Sequence, residues 1–171
     1  MARILITSGP TRQYLDPVRY LTNASSGRMG CALAEVALEC GHQVTIVSGP
    51  VELSYPKAAE LIKVETTSEM LEVARDNFNN CDGLIGVAAP CDYQPVRVSP
   101  QKIVKAGEPL KLQLVETPDI VASLAENKQH RWVVGFALET EDHRFRALMK
   151  LEAKSCDLII LNEIQAIGSL E

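Results

Sequence analysis

Short runs of apolar residues recur along the chain and predict the strands of one central sheet. The runs lie at 3–7, 43–49, 61–65, 83–89, 132–137 and 157–161. They are apolar throughout instead of alternating with polar residues, so we expect strands buried on both faces, as in a parallel sheet. Helical patterns separate them, at about 28–40, after Thr66, after Thr117 and at about 141–155. This alternation predicts a doubly wound α/β fold in a single domain, 1–171.

Two of the helix starts carry capping signals. Thr66 and Glu69 fit a capping box, in which each side chain satisfies a free backbone N–H group of the first turn. Thr117 is predicted as the N-cap of the next helix, with Pro118 at its first position, where a missing N–H group costs little. Both signals support the boundaries that the apolar pattern indicates.

Two stretches interrupt the alternation. The connection 8–27 is far longer than the usual loop of about 2–6 residues between a strand and a helix, which indicates a functional loop. The stretch 90–117 alternates apolar and polar residues in part and predicts a β-arm or hairpin that leaves the main sheet. Such an arm cannot bury both of its faces alone, so we expect it to pack on a neighbour, such as a second copy of the chain.

Composition excludes several function classes. The 171 residues carry a net charge of −5, which does not favour nucleic-acid or anionic-membrane binding. No apolar run approaches the ~20 residues that span a bilayer. The five cysteines are scattered without a CxxC pair, and the three histidines lack metal-ligand spacing. We therefore expect a cytoplasmic protein with reduced thiols, in which the glycosylation sequon at Asn23 has no meaning.

The stretch NASSGRMG at 23–30 is the first candidate site. Ser25 and Ser26 are good N-caps, and free N–H groups at a helix start bind anions, with the charge of Arg28 beside them. The simpler interpretation is a tight turn at Gly27 and close packing of the helix at the next glycine. Considered alone, these residues favour the simpler interpretation.

Asn23 and two acids are further candidates. The Asn23 amide offers two donors and an acceptor without charge, which suits the stabilisation of a developing oxyanion. Asp92 and Asp119 are isolated acids at strand or helix starts, where each would suit a helix cap, a ribose contact or a magnesium ligand. No His or Cys is paired with a base, so covalent catalysis is not supported.

Four lysines lie on the arm and on the last helix, at 102, 105, 150 and 154. Lys150 and Lys154 are four residues apart and share one helix face. The apolar stripe of that helix, predicted from Phe145, Leu148 and Met149, lies on the other side. A solvated lysine face is therefore the simpler interpretation. The chain has no GxGxxG, GxxxxGK[ST] or GxSxG motif.

Several segments, in the right order and at close spacing, resemble one family. They are ILITSGPTRQYLDPVRYLTNASSGRMGCALAE, GHQVTIVSGP, AAPCDYQP, QKIVK, ETPDIVASL, VVGFALET and KSCDLIILN. The chain resembles the phosphopantothenoylcysteine synthetase (phosphopantothenate–cysteine ligase) domain of coenzyme A biosynthesis, which in bacteria is often the C-terminal half of a bifunctional flavoprotein. The resemblance covers essentially the whole chain, and the DPVR…NxSSGxMG block is specific.

The resemblance implies a Rossmann-like domain that dimerises through its arm and catalyses two steps with Mg²⁺. The carboxylate of 4′-phosphopantothenate attacks the α-phosphate of CTP (ATP in eukaryotic members) and releases pyrophosphate. The amine of L-cysteine then displaces the nucleotide from the acyl phosphate. No flavin is expected, because the flavin-binding decarboxylase half is absent from this chain. A fused or separate phosphopantothenoylcysteine decarboxylase is an implied partner.

The resemblance also assigns individual residues. Asn23 and Lys102 are the implied catalytic residues: Asn23 matches the Asn that stabilises the acyl-nucleotide intermediate, and Lys102 matches the lysine of the arm. Nucleotide contacts match Gly86, Val87, Ala88, Asp92, Lys102, Pro118, Asp119, Ile120, Val121, Phe136, Lys150 and Lys154. Candidate substrate and phosphate contacts are Arg19, Ser25, Ser26, Gly27, Arg28, Ala89 and Lys105. The metal ligand stays open between Asp92 and Asp119.

Three departures from the family pattern leave alternatives open. The typical AVADYRP is AAPCDYQP here, with Pro90 and Cys91 in an altered turn. The Lys-x-Lys-Lys arm is KIVK, with Val104 in place of a lysine, which predicts a weaker grip on phosphate. The chain stops at Glu171, where the family usually continues with a strand and a helix. The alternatives are a non-catalytic nucleotide-binding remnant or truncated fragment and, more weakly, an NAD(P)-dependent reductase, against which the missing GxGxxG argues.

Overall fold

Strands and helices alternate along the chain in the computed structural model, which describes residues 1–139 and 142–163. In chain order the elements are β1 (Arg3–Ser8), β2 (Arg12–Tyr14), β3 (Tyr20–Thr22), α1 (Arg28–Glu39), β4 (Gln43–Ser48), β5 (Glu60–Lys63), α2 (Thr67–Phe78), β6 (Gly83–Gly86), β7 (Tyr93–Pro95), β8 (Leu114–Glu116), α3 (Ile120–Ala125), β9 (Trp132–Glu139), α4 (His143–Ala153) and β10 (Leu158–Glu163). Among these ranges, no helix is long and apolar enough to cross a membrane.

The six predicted strands form one sheet in the order β10-β9-β6-β1-β4-β5. Every neighbouring pair is parallel. The chain builds outward from β1 through β4 to β5, then crosses back to β6 and builds outward on the other side. The order therefore reverses between β1 and β6, which is where ligands bind in open α/β sheets. The predicted doubly wound, Rossmann-like fold is confirmed.

Helices cover both faces of the sheet, because alternate side chains of each strand point to opposite faces. On one face, α1 packs through Ala34 and Ala37 against Ile4 and Ile6 of β1. On the other face, Leu5 of β1 joins a larger cluster from α2, α3 and neighbouring strands. That cluster includes Val47, Met70, Leu71, Ala74, Phe78, Leu84, Ile120, Leu124 and Val133. Burial on both faces explains why the strands are apolar throughout.

One predicted helix start is confirmed and the other is wrong. The Thr66 side chain accepts a hydrogen bond from the Glu69 N–H group, and the Glu69 carboxylate accepts one from the Thr66 N–H group, both at 3.2 Å. The helix α3 begins later than predicted, with Asp119 as its N-cap. Thr117 and Pro118 precede it, because the Thr117 hydroxyl donates instead to the Cys91 carbonyl at 2.7 Å.

The two interruptions of the alternation form small hairpins. In the connection 8–27, β2 pairs antiparallel with β3. In the stretch 90–117, β7 pairs antiparallel with β8 over three residue pairs, so the predicted arm is confirmed only at its base. Residues 96–113 form no strand. Their alternating pattern was misleading, because a two-stranded ribbon is marginal without a third strand or a packed face.

The simpler interpretation of the last helix, a solvated lysine face with the apolar stripe on the other side, is wrong. The residues of the predicted apolar stripe, Phe145, Leu148 and Met149, are 67%, 53% and 51% exposed, while Ala147 is buried. Lys150 and Lys154 are partly buried. Periodicity identifies residues that share a face of a helix, but it does not decide which face meets the sheet. Here the lysine face, with Ala147 and Leu151, turns inward.

Candidate functional site

The carboxyl ends of β1 and β6 form the floor of a cleft at the point where the strand order reverses. Thr7 of β1 lies opposite Gly86 of β6. Beyond the strands, Pro10 and Ala89 form a further parallel bridge, and the Ala89 N–H group donates to the Gly9 carbonyl at 2.9 Å. The connections that follow the two strands therefore run side by side before they diverge.

Asn23 lies at this cleft, just after β3. Its Nδ2 atom donates a hydrogen bond to the Pro90 carbonyl at 2.8 Å, so the long connection 8–27 is fastened to the end of β6. An amide group has two N–H hydrogens and one oxygen. Within the described part of the chain, the second hydrogen and the Asn23 oxygen have no hydrogen-bond partner. They are available to a ligand in the cleft.

The first helix begins beside Asn23, but the predicted serine caps are wrong. The N-cap of α1 is Gly27, with a φ of 77° and no side-chain cap. Ser26 makes only a long contact of 3.4 Å, accepting from the Arg28 N–H group, and Ser25 is not at the cap. A left-handed φ favours glycine, so the chain turns sharply there. The first turn of α1 keeps N–H groups that no N-cap side chain satisfies, as an anion site requires.

Gly30 brings α1 into direct contact with the end of β1. A Cβ atom on Gly30 would lie 2.1 Å from the Ser8 oxygen, 2.6 Å from the Ser8 Cβ and 3.3 Å from a Val87 methyl. Only glycine fits at this distance. The interpretation of Gly30 as a packing residue is thus supported. Ser8 is itself held, because its hydroxyl donates to the Gly27 carbonyl at 3.3 Å and accepts from the Tyr55 hydroxyl at 2.8 Å.

The ends of β6 and β9 meet the start of α3 on the other side of Asn23. A Cβ atom on Gly86 would lie 2.5 Å from a Val121 methyl, so Val121 covers the end of β6 closely. Lys154 reaches across from α4 and forms an ion pair of 2.9 Å with Asp119. The structure therefore brings together most of the nucleotide candidates that the resemblance implies. They are Gly86, Val87, Ala88, Asp119, Ile120, Val121, Phe136 and Lys154, with Lys150 on the same face of α4.

Of the two candidate metal ligands, only one has a carboxylate without a partner in 1–139 and 142–163. Both oxygens of Asp119 are engaged, one accepting from the Ala122 N–H group at 3.0 Å and the other paired with Lys154. Asp92 is exposed, and only its backbone is engaged, accepting from Thr117. The described residues contain no group of three His, Cys, Asp or Glu that would hold a metal by itself. Mg²⁺ commonly needs only one or two carboxylates besides substrate phosphates, and Asp92 fits that role.

The remaining candidates lie on the arm and in the turn between β2 and β3. Lys102 and Lys105 are exposed on the irregular part of the arm, and neither forms an ion pair with a residue that the structure describes. Arg19 pairs with Asp16 at 2.6 Å and donates to the Ile103 carbonyl at 3.0 Å. Its guanidinium thus fastens the arm to the β2–β3 turn, and 40% of the Arg19 side chain stays exposed.

Asp16 is a buried residue that the sequence analysis missed. Burial would raise the pKa of its carboxyl group, but hydrogen bonds from Ile103, Val18 and Arg19 outweigh burial and hold that pKa well below its usual range. Asp16 therefore carries a negative charge at neutral pH. Its position in the DPVR segment was visible, but the partner at Ile103 lies 87 residues away and leaves no local signal.

A cluster of threonine hydroxyls behind the cleft was also missed. Thr11 and Thr67 share a hydrogen bond of 2.7 Å, and the Cys91 N–H group donates to the Thr11 hydroxyl at 2.8 Å. The Cys91 carbonyl accepts from the hydroxyls of Thr67 and Thr117, at 3.2 Å and 2.7 Å. The turn after β6 is therefore fixed through both backbone groups of Cys91.

Comparison with solved structures supports the same architecture. The chain superposes with a TM-score of 0.84 and 41% identity on a crystal structure of the C-terminal domain of the coenzyme A biosynthesis bifunctional protein CoaBC, covering 94% of this chain and 76% of that one. It superposes with a TM-score of 0.86 and 26% identity on the DNA/pantothenate metabolism flavoprotein from Streptococcus pneumoniae, covering 96% and 83%.

Comparison of sequences identifies the family. The chain is 42% identical over 167 residues to the coenzyme A biosynthesis bifunctional protein CoaBC of Bacillus subtilis, covering 97% of this chain and 41% of that protein. It thus spans about two fifths of the length of the curated relatives it matches. A family model described as "DNA/pantothenate metabolism flavoprotein C-terminal domain" matches residues 1–170. The chain therefore belongs to this family of C-terminal domains.

Proposed function

We propose that the chain is a phosphopantothenate–cysteine ligase that consumes CTP in coenzyme A biosynthesis. The observation that carries the proposal is the hydrogen bond of 2.8 Å between Asn23 Nδ2 and the Pro90 carbonyl. It holds an uncharged amide at the reversal point of the sheet, where ligands of this fold class bind. Similarity at 42% identity to bifunctional proteins of coenzyme A biosynthesis supports the pathway.

The reaction divides into two displacements. A carboxylate oxygen of 4′-phosphopantothenate attacks the α-phosphorus of CTP, and the bond from that phosphorus to the bridging oxygen of pyrophosphate breaks. The amine of L-cysteine then attacks the acyl carbon, the acyl carbon–oxygen bond breaks, CMP leaves with the oxygen, and the amine loses a proton. Each displacement concentrates negative charge on oxygens, so positioning and hydrogen-bond donors supply most of the catalysis.

Asn23 and the start of α1 are the groups we assign to that charge. The second amide hydrogen of Asn23 would donate to an oxygen of the acyl-nucleotide, while its first hydrogen stays on Pro90 and fixes the amide plane. The uncapped first turn of α1, at Gly27 and Arg28, would receive the phosphate of 4′-phosphopantothenate, with Ser25 and Ser26 beside it. An uncharged donor suits a site that must also release CMP.

The nucleotide lies, in this proposal, across the ends of β6 and β9. The backbone of Gly86, Val87 and Ala88 would meet the base, and Phe136 and the start of α3 would flank it. Lys154 and the arm lysine Lys102 would neutralise phosphate charge. Magnesium bound with the nucleotide would spread the charge of the departing pyrophosphate, with Asp92 as its protein ligand.

A pyrophosphate-release assay tests the proposal. We expect release only when CTP, 4′-phosphopantothenate and magnesium are all present, and a lower rate when ATP replaces CTP. Asn23→Ala should lower the turnover of L-cysteine by about 10²–10³-fold, as the loss of one oxyanion donor does elsewhere. The matched control is Asn80→Ala, at an exposed residue before β6 at the opposite end of the sheet, which should keep full activity. Saturable CTP binding without pyrophosphate release would favour a nucleotide-binding remnant instead.

The arm supports a second element of the proposal, a homodimer. It carries apolar side chains that are largely exposed in the single chain, among them Val98 at 56%, Val104 at 82% and Leu110 at 59%. Clustered exposed apolar residues commonly mark an interaction site, and a second arm would cover them. Light scattering should give twice the chain mass, and a strictly monomeric species at high concentration would contradict the dimer.

The product of the proposed reaction indicates which enzyme acts next. Phosphopantothenoylcysteine carries a free carboxylate, and we propose a phosphopantothenoylcysteine decarboxylase, fused or separate, as the enzyme that consumes it. The five cysteines are free thiols in the structure. Reduced thiols suit the cytoplasm, where we place the reaction.

A further inference from the structure

Asp16 makes more contacts than its own turn requires. Its side chain is fully buried, at 0% exposure. The Oδ1 atom accepts from the N–H groups of Val18 and Arg19, both at 2.8 Å, and these bonds close the turn between β2 and β3. Short polar side chains commonly close turns in this way. One oxygen atom is enough for that purpose.

The second oxygen of Asp16 reaches out of the turn to the arm. Oδ2 accepts from the Ile103 N–H group at 3.0 Å and from Arg19 Nη1 at 2.6 Å. The same Nη1 atom donates to the Ile103 carbonyl at 3.0 Å, so both backbone groups of Ile103 are held. A fourth bond, from the Ser99 N–H group to the Leu15 carbonyl at 2.9 Å, lies beside them.

We propose that Asp16 is a positioning residue that holds Lys102 at the nucleotide site by fixing the backbone of the adjacent Ile103. The proposal rests on the proposed function for the role of Lys102. Residues 96–113 form no helix or strand, so the arm has few other constraints along this stretch. A lysine on a mobile segment would lose freedom each time it bound phosphate, and preorganisation removes that cost.

Asp16→Asn separates the two tasks of the carboxylate. The amide oxygen can still accept from Val18 and Arg19 and close the turn. The amide nitrogen, however, replaces Oδ2 and faces two donors, Ile103 N–H and Arg19 Nη1, which it cannot accept. We expect hydrogen exchange at the amides of Ser99 and Ile103 to speed up at least tenfold, with the amides of β1 and β6 unchanged. Unchanged exchange in the arm would overturn the proposal.

Kinetics distinguish positioning from a general structural defect. If Asp16 acts through Lys102, Asp16→Asn should raise the KM for CTP at least tenfold and leave the KM for L-cysteine within twofold. In a Lys102→Ala background, the same substitution should change kcat/KM for CTP by less than twofold. A uniform fall in kcat with both KM values unchanged would overturn the proposal, and so would an undiminished effect in the Lys102→Ala background.

A second pair of variants covers the case in which Asp16→Asn does not fold. Ile103→Pro removes the N–H group that Asp16 holds, at a half-buried position of the arm. Ala106→Pro is the matched control, because the Ala106 N–H group has no hydrogen bond in the described part of the chain and the residue before it is not Ile103. We expect Ile103→Pro to reproduce the rise in the KM for CTP and Ala106→Pro to leave it within twofold. Equal effects of the two would overturn the proposal.

The two proposals fail in distinguishable ways. A parent protein that never releases pyrophosphate from CTP would contradict the ligase function. Hydrogen exchange requires no turnover, so it would still decide whether Asp16 holds the arm.

Discussion

Replacing Gly30 by alanine tests how tightly the first helix is pressed against the end of β1. In an exposed helix interior, a change from glycine to alanine stabilises by about 1 kcal/mol, because alanine has the better helix propensity. At Gly30 the sign should reverse. The new Cβ would lie 2.6 Å from the Ser8 Cβ and 2.1 Å from its oxygen, against an ordinary carbon–carbon contact of about 3.5–4.0 Å.

The magnitude follows from what must move. Ser8 is fully buried at the end of a central strand, so it cannot retreat by the ~1 Å required without disturbing its neighbours. Overpacking of this kind costs about 1–3 kcal/mol. If Ser8 also loses its bonds to Tyr55 and Gly27, unsatisfied buried polar groups add about 1–3 kcal/mol. With both costs, and after the propensity gain of about 1 kcal/mol, we expect a net loss of about 1–5 kcal/mol in the free energy of unfolding.

Urea unfolding followed by circular dichroism, combined with a double-mutant cycle, gives the measurement. Ser8→Gly removes the two nearest atoms that the new methyl group would meet and leaves only the Val87 methyl at 3.3 Å, so it should partly rescue Gly30→Ala, with a coupling energy of at least about 1 kcal/mol. The control is Gly41→Ala, at a glycine with open space around it and a φ of 78°. Its cost is backbone strain alone, about 1–2 kcal/mol, which Ser8→Gly should not rescue.

Two results would refute this reasoning. One is a Gly30→Ala protein as stable as its parent, or more stable, because helix propensity would then outweigh the contact. The other is simple additivity between Gly30→Ala and Ser8→Gly, because the cost would then arise somewhere other than Ser8.

Three further predictions concern the polar groups around the cleft. Thr67→Val removes a buried hydroxyl that forms hydrogen bonds with Thr11 and Cys91. The free energy of unfolding, measured with urea, should fall by about 1–3 kcal/mol. The control, Thr45→Val at a partly exposed strand position, should lower it much less. Folding lowers the pKa of Asp16 from its ordinary value of 3.8. The ionised carboxylate therefore contributes its full stabilisation above pH 3.8, and this stabilisation is lost as the pH falls below that value. Asp16→Asn should flatten the acid limb of a plot of urea midpoint against pH, and an unchanged limb would contradict this. The ion pair of Lys154 with Asp119 is partly exposed, so Lys154→Met should lower the free energy of unfolding by less than about 1 kcal/mol. The same change should weaken CTP binding measured by calorimetry. An unchanged affinity for CTP would show that Lys154 is not part of the site.

The fold was largely predictable because local and global preferences agree. Continuous apolar runs indicated strands buried on both faces, and the capping box at Thr66 marked α2 correctly. The errors arose where a residue had a stronger distant partner. Thr117 has the chemistry of an N-cap, yet its hydroxyl serves the Cys91 carbonyl. The exposed stripe of α4 shows that a helical pattern identifies a face without identifying what covers it.

The site was less predictable, because distant contacts assemble it. Sequence reasoning singled out Asn23 as an uncharged donor, but its partner at Pro90 lies 67 residues along the chain. Gly30 was recognisable as a packing residue, while Ser8, the residue it accommodates, gave no signal beyond a strand end. Asp16 was missed because its partner on the arm, the Ile103 N–H group, lies 87 residues away along the chain.

The altered turn after β6 shows why a change of side chains there need not displace Asn23. The departure from the family pattern lies in the side chains of Pro90 and Cys91, but the bond to Asn23 and the bonds to the threonine hydroxyls use their backbone. Asn23 donates to the Pro90 carbonyl, which proline retains, whereas the N–H group that proline lacks is not used. The N–H and carbonyl groups of Cys91 are held by Thr11 and Thr67. The hydrogen bond to Asn23 is thus independent of the side chain at 90, whereas the buried Cys91 thiol donates to the Tyr93 carbonyl at 3.2 Å and adds a side-chain contact to the same turn.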